Sequence, residues 1–137
     1  MTELEPSFKE NRRAMTKTGI EFILRTEEKC EMELVGGKGA NISRLDRAGF
    51  AVPEGFCVAA TAYDHFVDFN AISTEDENIG EKIRAGAIPP PLAERICAAY
   101  NRYLKGKPCA VRSSSPQEDL AQASFAGQYT SLLNVVG

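Results

Sequence analysis

Tryptophan is absent from this 137-residue chain, and histidine occurs once, as His65. One histidine excludes the multi-histidine metal centres, and the four cysteines do not replace them. Cys30, Cys57, Cys97 and Cys109 form no C-x-x-C pair, whereas structural zinc needs four clustered Cys or His ligands. Cys57 and Cys109 lie inside apolar runs, where cysteine behaves as a small buried hydrophobe, so the thiols read as reduced and structural rather than as disulfides or redox centres. No apolar run approaches the ~20 residues that span a bilayer, which leaves no membrane partner to expect. The first twenty residues are polar and lack the apolar middle of a signal peptide, so a cytoplasmic setting is the simplest reading. A basic surplus is also missing. Sixteen Lys and Arg against 19 Asp and Glu leave a net charge of -3, which argues against a nucleic-acid partner.

What is present suits a single globular core: 43% hydrophobic and 26% charged residues, in a length with little room for a second domain. Residues 1–19 read as a polar leader and 20–137 as the folded unit. Ile20, Phe22 and Leu24 alternate with Glu21 and Arg25, the pattern of a half-buried strand over 20–26. After the glycines of VGGKGAN, Ile42, Leu45 and Ala48 recur at helical spacing, with Gly49 and Pro53 as the stop. PEGFCVAA predicts a short strand, and Thr61 with Asp64 makes an N-terminal capping pattern for a helix through about Phe69. Residues 70–80 read as a polar, acidic loop. Residues 90–104 give the clearest helix, with prolines at its start and Leu92, Ile96, Ala99, Tyr100 and Tyr103 down one face. CAVRSS predicts a strand, SPQEDLAQAS a loop and QYTSLLNVV a last strand over 128–136. Irregular alternation of strands and helices makes the fold class α+β, with a small mixed or antiparallel sheet packed with helices.

Three segments can carry chemistry. Val35-Gly36-Gly37-Lys38-Gly39-Ala40-Asn41 stands at the entry to a helix, where glycines let a ligand approach the backbone and free N–H groups favour an anion. Lys38 suits a phosphate there, although the spacing fits neither of the best-known phosphate loops, and an ordinary glycine-rich turn is the alternative. Ala110-Val111-Arg112-Ser113-Ser114-Ser115 runs off a strand. The planar fork of Arg112 suits a phosphate, or Arg112 is a plain strand-end arginine. Ser124-Phe125-Ala126-Gly127-Gln128-Tyr129-Thr130-Ser131 is either a hairpin that covers phosphates or merely a turn. His65, in TAYDHFVDF, has no partner in the sequence and reads as a packing residue.

Taken together and in order, VGGKGANISRLDRAGFAVPEGFCVAATAYDHFV, AVRSSSPQEDLAQASFAGQ and LLNVVG resemble the N-terminal domain shared by phosphoenolpyruvate synthase, pyruvate phosphate dikinase and rifampin phosphotransferase. The resemblance covers roughly residues 34–137. It implies the N-terminal lobe of an ATP-grasp domain, here partial, which binds ATP and Mg2+ and phosphorylates a histidine on a separate domain of a longer phosphotransferase. That histidine then passes the phosphate to pyruvate or an antibiotic hydroxyl. By position, Lys38 and Arg112 correspond to the phosphate-contacting lysine and arginine of the family, and Gly127 and Ser131 to the loop that closes over the nucleotide. The ligands of magnesium are expected outside this chain, and His65 does not match the phosphorylated histidine, so no catalytic residue is assigned. The chain departs from the family in a short stretch between His65 and Pro89, and in Thr130, where the family carries an acidic residue.

A non-catalytic nucleotide-binding or interaction module is the competing reading. Leu132, Leu133, Val135 and Val136 leave the last strand apolar on both faces, and a strand of that kind belongs in a covered sheet. Left uncovered, it predicts a homodimer, formed through this strand or by exchange of the leader.

Overall fold

The computed structural model describes residues 21–73, 75–115 and 130–137, so the polar leader and Gly127 lie outside the described residues. Strand β1 (Ile23–Arg25) pairs antiparallel with β2 (Phe56–Val58), in a register that sets Leu24 opposite Cys57. Helix α1 (Met32–Arg47) lies between them in sequence. Helices α2 (Ala60–Phe69), α3 (Ile79–Ala85) and α4 (Pro90–Ala99) follow, and α4 runs on into a π-helical turn at Tyr100–Leu104. Strand β3 (Cys109–Arg112) then pairs antiparallel with β4 (Ser131–Val135). The α+β class holds, but the sheet differs from the expected one: the described strands make two separate two-stranded ribbons, β1-β2 and β3-β4.

The alternation in the first strand does what its pattern dictates. Phe22 and Leu24 are buried on successive same-side positions and anchor two small apolar clusters. Leu24 packs with Cys30, Leu34, Val35, Ala40 and Ala59, and Phe22 packs with Ala62 and Leu92. The α4 face is also as expected, with Leu92 and Ala99 buried and Ile96, Tyr100 and Tyr103 half-buried. Left-handed backbone at Lys105 and Gly106 ends that run.

Two expectations fail for identifiable reasons. Helix α1 does not bury Leu45 and Ala48, which are exposed; it buries Gly39, Ala40 and Ser43 instead. A side chain on Gly39 would meet Val35 at 2.9 Å and the Cys57 sulfur at 3.0 Å, so small residues are what let α1 lie close to β2. The buried Ser43 hydroxyl donates to the Glu28 carbonyl and accepts the Cys30 N–H, which ties the loop after β1 to the helix. The capping pattern at Thr61 also fails. Ala59 is the N-cap of α2 without a side-chain cap, and the buried Thr61 hydroxyl donates to the Glu21 carbonyl. A long-range bond to the strand segment has replaced the local one.

Helix α3 follows the expected 70–80 loop, overlapping only its last two residues, in a stretch for which no element was expected. Asp76 prepares its start by accepting the Ser73 N–H and pairing with Lys82, both at 2.8 Å. The Lys82 ammonium holds this carboxyl below its ordinary range. Beyond α3, Asn70 clamps the return: its amide donates to the Phe66 and Ala87 carbonyls and accepts the Ala87 N–H, each at 2.9 Å. Gly86 fits beneath, where an added side chain would strike Phe66 at 2.5 Å. The β3-β4 ribbon has no buried residue, and Leu133 and Val136 are 71% and 63% exposed. No helix among the described residues is long and apolar enough to cross a membrane.

Three hydrogen bonds converge on one amide, and each contributes about 1 kcal/mol net when its partners are otherwise half-solvated. Asn70→Ala is expected to lower unfolding free energy by about 1–3 kcal/mol, read as a fall in the urea midpoint at unchanged slope. An unshifted midpoint would show that the 70–88 segment is not held by this clamp.

Candidate functional site

The glycine-rich segment does not begin α1 but bends it. Gly36 has φ 70° and ψ 175°, so a first turn from Met32 to Val35 is set off from the long segment that starts at Gly37. Positive φ of this kind favours glycine. The same glycine meets β3 as it leaves the ribbon: a side chain on Gly36 would lie 2.4 Å from the Ser114 carbonyl carbon and hydroxyl. The Gly37 N–H donates to the Ser115 carbonyl and the Gly39 N–H to the Ser114 hydroxyl, both at 3.1 Å. The expectation of free helix N–H groups is therefore corrected at these two positions, where residues just past Arg112 take them up.

Those bonds bring the Lys38 turn and the Arg112 strand end together, and the ribbon adds a third member. Arg112 pairs with Ser131 across β3 and β4, so both project on the same side of the ribbon. Lys38 is half-buried, while Arg112 and Ser131 are exposed. Gly127 lies outside the described residues. The run of three serines after Arg112 is the signal that could have revealed the link to Gly37 and Gly39. A separate polar cleft of about 410 Å³ opens at the far end of α1, lined by Arg25, Thr26, Asp46, Glu54, Arg102 and Tyr103. Within it Arg25 pairs with Glu27 and lies 5.0 Å over the Tyr103 ring, and the Thr26 hydroxyl donates to Asp46 at 2.9 Å.

His65 stacks on Phe22, with ring centroids 5.1 Å apart, and takes a packing role beside the core. All four cysteines are free thiols. Burial pushes the Cys57 thiol up from an ordinary 9.0 to about 11, with Cys30 nearby adding to it, and burial likewise raises Cys30. Such thiols are poor nucleophiles at neutral pH. Among the described residues no group of three or more His, Cys, Asp or Glu side chains gathers to hold a metal ion.

The family described as the pyruvate phosphate dikinase AMP/ATP-binding domain matches residues 32–137. The chain belongs to that family. A probable phosphoenolpyruvate synthase of Pyrococcus horikoshii is 33% identical over 181 aligned positions, which take in 90% of this chain and 22% of that protein. A rifampicin phosphotransferase of Streptomyces sviceus is 37% identical over 138 positions, 85% of this chain and 16% of its own length. An uncharacterized phosphotransferase of Bacillus subtilis, YvkC, is 36% identical over 114 positions, 82% and 14%. The chain thus spans less than a quarter of the length of these relatives. In this member of the pyruvate phosphate dikinase family the matched region begins at α1 and takes in both the Gly36–Lys38 turn and the β3-β4 ribbon.

The thiol at the back of the turn makes stability depend on pH. The unfolded chain ionises Cys57 near 9.0 and the folded chain near 11, so the neutral thiol supports the fold below pH 9. That contribution is lost as pH rises from about 9 to about 11. Thermal unfolding should show a steeper fall across this window in the wild type than in Cys57→Ala. Parallel profiles would mean that Cys57 titrates alike in both states.

Proposed function

We propose that this chain supplies the phosphate-gripping part of an ATP site in a phosphotransferase resembling phosphoenolpyruvate synthase, within the N-terminal lobe of an ATP-grasp domain. One observation carries the reading: the hydrogen bonds of Gly37 and Gly39 to Ser115 and Ser114 join the Lys38 turn to the strand end that bears Arg112. Lys38 offers a point charge and Arg112 a planar fork, two complementary ways to neutralise phosphate oxygens. Ser131, paired with Arg112, is the third contact, and Gly127 belongs to the loop that closes over the nucleotide. Phosphoryl transfer depends on positioning and charge neutralisation, and these residues serve both.

In the whole protein, phosphate passes from ATP to a histidine on a separate domain and then to pyruvate or another acceptor. Magnesium, which would neutralise the phosphates further, is held by residues outside this chain. The isolated chain is accordingly a binding unit without catalysis, and the cytoplasm suits its four free thiols. With the base and the metal unsupported, affinity for ATP is weak. Titration of the labelled chain with ATP, followed by amide shifts, should give a dissociation constant near ~1 mM. Lys38→Ala and Arg112→Ala should each weaken it about tenfold, or about 1.4 kcal/mol. Wild-type affinity unchanged in both variants, or no ATP binding at all, would overturn the assignment.

A second reading concerns association, favoured by the bare β3-β4 ribbon. Leu132, Leu133 and Val136 are each more than half exposed, and burial of apolar area contributes roughly 25 cal/mol per Å². We propose that the isolated chain forms a two-fold dimer through β4, whose second edge pairs with no strand among the described residues. Sedimentation at micromolar concentration should show a species of twice the chain mass that Leu133→Lys disperses. A monomer at every concentration would refute it.

A further inference from the structure

The helical segment that opens at Gly37 has a gap where its cap should be. At an ordinary helix start, a Ser, Thr, Asp or Asn at the N-cap accepts the N–H of the second or third helical residue through its own side chain. Here the N-cap position is Gly36, which has no side chain to offer. The third residue, Gly39, nevertheless has its N–H satisfied at 3.1 Å by the hydroxyl of Ser114, which lies just past the end of β3. The Ser115 carbonyl takes the N–H of the first residue, Gly37, at the same distance.

The two halves of this arrangement require each other. A side chain on Gly36 would lie 2.4 Å from the Ser114 hydroxyl and 2.6 Å from its carbonyl oxygen. The close approach of the strand end therefore forbids a local cap and provides a remote one. We infer that Ser114 is a positioning residue: it caps the Lys38 turn from across the fold and so sets the separation between Lys38 and Arg112. The inference rests on the proposed ATP reading and deepens it, because the ligand it serves is a polyphosphate gripped from both segments. Lys38 stands between the two capped amides at Gly37 and Gly39, and Arg112 stands two residues before the capping serine. A shift of the serine is thus felt at both phosphate contacts together.

The test uses the full chain labelled with nitrogen-15, with Ser114→Ala and with Ser114→Cys, a near-isosteric change to a weak acceptor. In both variants the Gly39 amide should exchange with solvent about fivefold faster, the counterpart of a lost helix cap, while the Leu24 and Ala99 amides keep their wild-type rates. Affinity for inorganic tripolyphosphate should fall about tenfold while the Leu24 and Ala99 amides stay protected, a split that general loosening of the fold would not give. Should Ser114→Ala fail to fold, Ser114→Cys decides alone. Unchanged Gly39 exchange would overturn the remote cap. Faster Gly39 exchange with undiminished tripolyphosphate affinity would overturn the positioning role. If the wild type binds neither tripolyphosphate nor ATP, the nucleotide reading and the positioning role fall together, while the Gly39 comparison still decides the cap.

Discussion

The fold turns on how closely one strand end approaches one glycine. Ser114 lies so near Gly36 that no side chain could stand there, and the backbone of Gly36 takes a conformation that glycine adopts without strain. Among the described residues the two ribbons share no strand pairing, and this approach links them through α1. It also explains why α1 is bent where it is. A straight helix from Met32 would carry its glycines past the strand end instead of presenting them to it. Gly39 extends the same logic to the other side of the helix, where its missing side chain admits β2 and Cys57. Glycines are thus used here for contact on two faces rather than for flexibility.

Much of the architecture was legible because it follows from local pattern. The alternation through Phe22 and Leu24 gave β1, and the stripe of Leu92, Ile96 and Ala99 gave α4, since both are periodic burial signals that depend on one element at a time. The inner face of α1 was misread because that helix buries small residues, while its larger Leu45 points outward. Hydrophobic periodicity cannot register a face made of Gly39, Ala40 and Ser43. The start of α2 was misread for a related reason: Thr61 has the right chemistry for a local cap, yet the Glu21 carbonyl lies within its reach once the chain folds. Helix α3 escaped notice because none of its residues is buried.

The candidate site stood out in its parts but not in its wiring. Lys38, Arg112 and Ser131 stood out by residue type and family resemblance, and the pairing of Arg112 with Ser131 follows from two strands that the sequence already suggested. The serine bonds to Gly37 and Gly39 were not read: the three serines after Arg112 are their one trace, and a contact between segments so far apart leaves no periodic one. Family membership over residues 32–137 agrees with the order of the motifs.

The β3-β4 ribbon is moored at both ends and bare between. At one end Ser114 and Ser115 hold α1; at the other the Gly137 N–H donates to the Tyr100 hydroxyl, which in turn donates to the Lys107 carbonyl. With no buried side chain along its length, the ribbon draws little from the core, and sparse burial of this kind goes with a low free energy of local opening. An anion seated at the serine end would add restraint where the ribbon has least. Were an anion to bind there, the response expected is a quenching of fluctuation more than a change of shape, and amide dynamics rather than coordinates would register it.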